Sequence, residues 1–372
     1  MEKNNYYSQE NHGPYQLFNL GDFKLEDGGI ISNCQLAYST FGKLNAKKDN
    51  AILITTWYSG TSKIMEKVYL GEGRAIDPAK YFIVIVNQIG NGISTSPHNV
   101  SDPLRGPKFP RVRIGDDVRA QHKLLTEYFG IESLELVTGG SMGAQQTWEW
   151  AVRYPDMVKR AAPIAGRARN STHDFLFIET FMYALTSDPA FNNGYYTEPN
   201  AVNRGLCHHA DIWSVMGYSI EFFNQELYKN IGFSSPEEFR TGFTQNYFLP
   251  MDPNNLLCMA WKWQQGDVSR LTNGNLSTAL GRIQAKVFVI AIDGDMLFPP
   301  SDCEADQKLT PGSELKVIHS HAGHLGLFGL HPSYFEQIDK YFGELLAIPS
   351  YDKSANQAAF QSRVEESSMV ST

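Results

Sequence analysis

Residues 134–146 read Leu-Glu-Leu-Val-Thr-Gly-Gly-Ser-Met-Gly-Ala-Gln-Gln, and the meaning of that stretch decides the fold. An apolar run enters two glycines and a serine, and a helix-like pattern follows. Gly139-Gly-Ser-Met-Gly143 fits G-x-S-x-G both in its letters and in its strand-to-helix context, the sharp turn that exposes a nucleophilic serine. Backbone segments approach so closely at such a turn that only minimal side chains fit beside the serine, which accounts for Gly139 and Gly143. Ser141 would then stand at the carboxyl end of a sheet, with the free N–H groups of a helix N-terminus behind it to receive a developing oxyanion. A phosphate-cradling turn is the other reading of glycine-rich sequence, but neither G-x-G-x-x-G nor G-K-[ST] is present.

Working outward, residues 51–57, 81–87, 134–138 and 286–292 are short apolar runs, the pattern of strands buried on both faces. Helical patterns lie between them. One is predicted over 116–129, with Val118, Leu124, Leu125 and Tyr128 on one side and Gly130 closing it. This alternation predicts an α/β fold with a mostly parallel central sheet and helices on both faces. Residues 16–25 and 31–40, joined through Asp27-Gly-Gly, predict an antiparallel start. From 166 to 280 the alternation stops and aromatics accumulate, so this interval is expected to be a mainly helical cap. It divides the sheet domain into parts 1–165 and 281–346, and most of its aromatics should be its own core. The polar, aperiodic tail 347–372 is expected to be disordered.

With 372 residues and 42% hydrophobic content, the chain can bury a large core, and its net charge of −8 argues against nucleic-acid or anionic-membrane partners. A small molecule is the expected partner. Four scattered cysteines without C-x-x-C spacing indicate neither a disulfide framework nor a zinc site. No apolar run is long enough to span a bilayer, and the first residues lack signal-peptide character, so a cytoplasmic location is expected.

A serine hydroxyl needs a histidine base, itself oriented by a carboxylate. In this architecture the chain order is Ser, Asp or Glu, His, the last two just past late strands. Asp293-Gly-Asp295 follows the run ending at Ile292, and His319-Ser-His-Ala-Gly-His324 follows an apolar stretch that begins at Leu315. Asp295 is favoured over Asp293, which reads as a turn residue before Gly294. His324 is favoured over His319 at a strand end and His321 in the loop. Oxyanion donors are expected from the backbone N–H of Met142 and from the loop Thr56-Trp-Tyr-Ser-Gly60, with Tyr58 preferred and Trp57 possible by position. The Trp57 and Tyr58 rings are candidate pocket walls. No metal or organic cofactor is called for.

The ordered set Asn87-Gln-Ile-Gly-Asn-Gly-Ile-Ser-Thr-Ser-Pro97, Phe109-Pro-Arg-Val-Arg-Ile-Gly-Asp-Asp-Val-Arg-Ala-Gln121, Gly139-Gly-Ser-Met-Gly143, Asp295-Met-Leu-Phe-Pro-Pro300 and Gly323-His324 resembles the homoserine O-acetyltransferase family of the α/β-hydrolase superfamily, over roughly residues 15–345. The resemblance implies an acyl-serine enzyme under a helical cap, often dimeric through that cap, with Ser141, Asp295 and His324 as its triad. Two departures bear on substrate. The family resembles itself in carrying an aspartate after the histidine, where Leu325 stands here, and an arginine in the cap, where the stretch Gly205-Leu-Cys-His-His-Ala210 offers none. An amino-acid substrate would lose two charge-assisted hydrogen bonds worth about 1.5–3 kcal/mol each. Arg204 is the one nearby cation that could substitute, and Trp213 is a further candidate for the pocket. Hydrolysis of a small, fairly apolar ester or lactone is therefore preferred. The alternatives are an O-acyltransferase, which would use acyl-CoA as co-substrate, and a non-catalytic ligand receptor on the same scaffold.

Overall fold

Eight strands form one sheet: β1 (Gln16–Lys24), β2 (Ile30–Phe41), β3 (Ala51–Thr55), β4 (Phe82–Val86), β5 (Leu136–Gly140), β6 (Arg160–Ile164), β7 (Lys286–Ile292) and β8 (Glu314–Ile318). The computed structural model describes residues 4–349. The strand order is β1-β2-β4-β3-β5-β6-β7-β8. β1 and β2 pair antiparallel with each other and β2 antiparallel with β4, whereas β3 to β8 run parallel. The α/β expectation is thus met, including the antiparallel start.

The strands of the parallel part alternate between two cores, one on each face. Leu53, Val84 and Val137 belong to one apolar cluster, and Ile52, Ile83 and Leu136 to the other. Each such side chain, fully buried, contributes about 1.5–3 kcal/mol. Helices Met142–Arg153 and Pro332–Ala347 are among those that cover the sheet. Ala347 closes the last helix, while the tail expected to be disordered lies, from residue 350, outside the described residues.

One local expectation is corrected, and one strand went unread. The predicted helix over 116–129 begins earlier, as Ile114–Lys123, and continues as a π-helical segment Leu124–Tyr128. The wider turn shifts the phase of the helix, so Val118, Leu124 and Leu125 are buried but Tyr128 is exposed. Strand β6 carries Arg160 at its start and Pro163 inside it, letters that read as strand breakers. Arg160 is tolerated because its guanidinium meets Glu135 Oε2 at 2.7 Å and the Ile348 carbonyl at 2.6 Å.

Between β6 and β7 the chain is helical, with its longest elements at Thr172–Thr186, Asn203–Met216 and Pro253–Gln264. Lys262 of the last of these is fully buried and pairs with the equally buried Asp117 of helix Ile114–Lys123, also donating to the Ile89 carbonyl at 2.6 Å. Burial pushes the Asp117 carboxyl up to about 6 despite the opposing pull of Lys262. Among the described residues, no helix is long and apolar enough to cross a membrane.

Candidate active site

The carboxyl ends of β3, β5, β7 and β8 converge, and each delivers one part of the site. β5 ends at Gly140, and Ser141 turns the chain at φ 55° and ψ −121° before helix Met142–Arg153 begins. A left-handed serine costs on the order of 1–3 kcal/mol, sustained only where surrounding structure over-determines it. The restraint is visible: Ser141 N–H donates to the Ile164 carbonyl at 2.8 Å. A Cβ on Gly143 would lie 2.8 Å from the Thr55 carbonyl oxygen, and one on Gly139 would overlap the Thr55 hydroxyl. Both glycines are therefore required by the approach of β3.

His324 Nε2 lies 2.9 Å from Ser141 Oγ, and its Nδ1 lies 2.8 Å from Asp295 Oδ2. The other oxygen, Asp295 Oδ1, accepts the N–H groups of Leu297 (2.8 Å) and Phe298 (3.0 Å). An acceptor-only carboxylate beside Nδ1 places the imidazole proton there and leaves Nε2 free to accept from the serine. All three residues are buried. The His324 ring is flanked by Phe298 at 5.5 Å and Trp213 at 6.4 Å between centroids. The rejected candidates sit elsewhere: His319 Nδ1 meets Asp293 Oδ2 at 2.8 Å on the exposed surface, and exposed His321 offers its carbonyl to the Ser219 hydroxyl.

Among the described residues, the backbone N–H groups of Met142, Trp57 and Tyr58 have no intramolecular acceptor. Trp57 and Tyr58, with Ser141 and His324, line a cleft that is also walled by Trp213, Tyr247, Leu325 and Leu327 among others, and Met142 directly follows Ser141. The cleft is narrow, since only about 30 Å³ of it admits the centre of a water molecule. Among the described residues, no Asp, Glu, Lys or Arg lines it. Of the residues named from the sequence as pocket candidates, Trp57, Leu325 and Trp213 line this cleft. Arg204 does not: it is exposed, because on helix Asn203–Met216 the inward face is Leu206, Ala210 and Trp213, and Arg204 lies two positions before Leu206.

Trp213 is fixed by a buried histidine that sequence reading left unassigned. Its indole N–H donates to His209 Nε2 at 3.2 Å, while His209 Nδ1 faces the Phe181 carbonyl at 3.2 Å. Burial lowers the His209 pKa to about 4, so the ring is neutral near pH 7 with its proton on Nδ1. Leu327 and Phe328, also in the lining, follow His324 in the 3₁₀ segment Gly323–Phe328, and the apolar run Leu325-Gly-Leu-Phe was their signal. Among the described residues, no group of three or more His, Cys, Asp or Glu could hold a metal ion.

Residues 60–329 match the family model described as alpha/beta hydrolase fold. The chain belongs to the alpha/beta hydrolase fold family. An ethyl acetate hydrolase of Pseudomonas veronii is 59% identical over 348 residues, covering 94% of this chain and all of that protein. The crystal structure of an acetylester hydrolase from Corynebacterium glutamicum superposes with a TM-score of 0.92 at 52% identity, covering 93% of this chain and 99% of that one. A homoserine O-acetyltransferase of Nostoc punctiforme is 33% identical, covering 81% of this chain and 88% of that protein. Ester hydrolysis by an alpha/beta hydrolase, the function preferred from the sequence, is borne out by the high-identity relatives. The resemblance to the acetyltransferases holds at the level of the shared hydrolase family, with the esterases the more similar of the two groups.

Proposed function

We propose that this alpha/beta hydrolase cleaves small, apolar carboxylic esters, acetate esters foremost, through an acyl intermediate on Ser141. The observation that carries the reading is the unbroken hydrogen-bonded series Asp295–His324–Ser141 in a narrow apolar cleft. His324 Nε2 takes the Ser141 proton as Oγ attacks the ester carbonyl. The resulting oxyanion is received by the N–H of Met142 and by that of Tyr58 or Trp57. Collapse expels the alcohol, which takes its proton from His324, and leaves an acyl-serine. Water then repeats the sequence with His324 as base, releasing the acid and the free hydroxyl. Asp295 holds the imidazole tautomer throughout. No cofactor enters these steps.

Hydrolysis is favoured over transfer by the cleft lining: a zwitterionic acceptor such as homoserine would meet Leu325 and aromatic rings, with no Asp, Glu, Lys or Arg among the described residues that line the cleft. The names of the high-identity relatives support short acyl groups. In this reading the helical interval 166–280 is the cap over the site. Exposed Leu176, Tyr183 and Val215 on its helices support a homodimer through it, and the free cysteines support a cytoplasmic setting.

The decisive experiment is turnover of ethyl acetate and p-nitrophenyl acetate by Ser141→Ala, expected to fall about 10⁶-fold in kcat. Retained turnover sinks the mechanism. Assayed alongside, acetyl-CoA with L-homoserine should yield no O-acetyl product above background, and rapid transfer would reverse the preference for water.

A further inference from the structure

Three buried glutamines from separate parts of the chain meet behind the oxyanion loop. Gln88, just after β4, places its amide nitrogen 2.7 Å from the Thr56 carbonyl oxygen and 3.4 Å from that of Trp57. Gln146 Nε2 reaches the same Thr56 oxygen at 2.9 Å. Gln146 Oε1 accepts from Gln121 Nε2 at 2.6 Å, and Gln121 Oε1 accepts from the Trp150 indole at 2.7 Å. All four side chains are inaccessible to solvent. Because both groups facing the Gln88 amide are carbonyl oxygens, the contacting atom has to be the NH₂ nitrogen.

The geometry has a direct effect on the N–H groups of the loop. A trans peptide is planar, with its C=O and N–H pointing in opposite directions. Holding the Thr56 carbonyl therefore orients the Trp57 N–H, and holding the Trp57 carbonyl orients the Tyr58 N–H. Gln88 grips both, so it governs the donor whichever of the two is used. The Trp57 carbonyl has a second partner in the Gly60 N–H at 3.2 Å. The mount of Gln88 is itself rigid, since the neighbouring Ile89 N–H donates to Asp117 Oδ1 at 2.7 Å and its carbonyl accepts from Lys262. Gln88 Oε1, in contrast, is buried with no hydrogen-bond partner among the described residues. A buried amide with one end unsatisfied is a poor choice for stability alone, and an apolar side chain of equal volume would fill the space without that penalty.

We propose that Gln88 is a positioning residue of the oxyanion site, its amide fixing through the Thr56 and Trp57 carbonyls the N–H groups that receive the substrate's developing negative charge. This rests on the acyl-serine reading of Ser141. Gln88→Met removes the donor at nearly constant volume and leaves each carbonyl one other partner, Gln146 or Gly60.

The test compares Gln88→Met with the parent in kcat and KM for p-nitrophenyl acetate, in melting temperature, and in inhibition by 1,1,1-trifluoroacetone, whose serine adduct is an oxyanion, and by N-ethylacetamide, which stays neutral. Expected are a fall in kcat of about tenfold with KM within twofold, a parallel weakening of trifluoroacetone, unchanged N-ethylacetamide inhibition and a melting temperature equal or higher. A fall in kcat of less than about threefold, or equal weakening of both inhibitors, overturns the proposal. Should Gln88→Met not fold, Gln88→Leu carries the same comparison, and failure of both to fold also overturns it by making Gln88 a stability residue. An active Ser141→Ala would remove the underlying mechanism instead, so the two failures are told apart.

Discussion

The loops after β7 and β8 each supply two members to two Asp–His pairs, and the pairs differ in one respect. Asp295–His324 and Asp293–His319 have the same 2.8 Å contact through the same atoms, Nδ1 and Oδ2. The first pair has side chains 2% exposed or less, whereas His319 is 76% and Asp293 43% exposed. Pair geometry therefore does not single out the dyad proposed to act in catalysis. Burial does, together with a free Nε2 aimed at the serine and a carboxylate whose second oxygen is already engaged by backbone N–H groups.

The sharpest way to break this contrast is to neutralise each aspartate in turn. Asp295→Asn should lower kcat for p-nitrophenyl acetate by about 10⁴-fold, because the amide favours the wrong imidazole tautomer, while Asp293→Asn should leave it within twofold. Comparable losses in both variants would mean that the surface pair takes part.

A buried, neutral histidine next to the site extends the contrast to stability. The folded pKa of His209 is depressed to about 4 from 6.5, so its contribution is complete above 6.5 and is lost as pH falls through about 4. Relative to His209→Gln, the parent should lose on the order of 3 kcal/mol of unfolding free energy between pH 7 and pH 4. The raised carboxyls of Asp117 and Glu149 act in the opposite sense and cancel in the difference. Urea denaturation of both proteins across that range reads the effect, and parallel pH profiles would rule out the neutral assignment. The smallest effect belongs to the surface: His319→Ala should change stability by less than about 1 kcal/mol in the same assay, and a larger loss would assign the exposed pair a structural role.

The sequence disclosed most where chemistry imposes a local rule. A nucleophile turn needs glycines at fixed offsets, so Ser141 was legible, and chain order then narrowed Asp295 and His324 to adjacent choices. Arg204 was misplaced because proximity along the chain was weighed without helical phase, although Leu206, Ala210 and Trp213 at i, i+4 and i+7 already mark the inward side. Tyr128 failed for a related reason, since a π-helical segment alters the phase with no residue type to announce it. Strand β6 was hidden by Arg160 and Pro163, and the acceptance of Arg160 depends on a distant carboxylate and carbonyl. The glutamine cluster was not legible either: Gln88 and Gln121 fall in two separate stretches of the family resemblance, but nothing in the sequence joins them to Gln146, and their meeting is a property of the packed sheet.

The buried Lys262–Asp117 pair limits which part of the helical interval between β6 and β7 can move. It fastens Pro253–Gln264, the last of the long helices before β7, to the sheet domain by a contact whose rupture would strand two charges out of water, a loss of about 3–5 kcal/mol. That end cannot act as a hinge for a swinging door. The segment next to the cleft that lacks such a fastening is farther forward, in residues 217–249, where short helical turns replace the long rods and where Phe243, Tyr247 and Phe248 face the cleft.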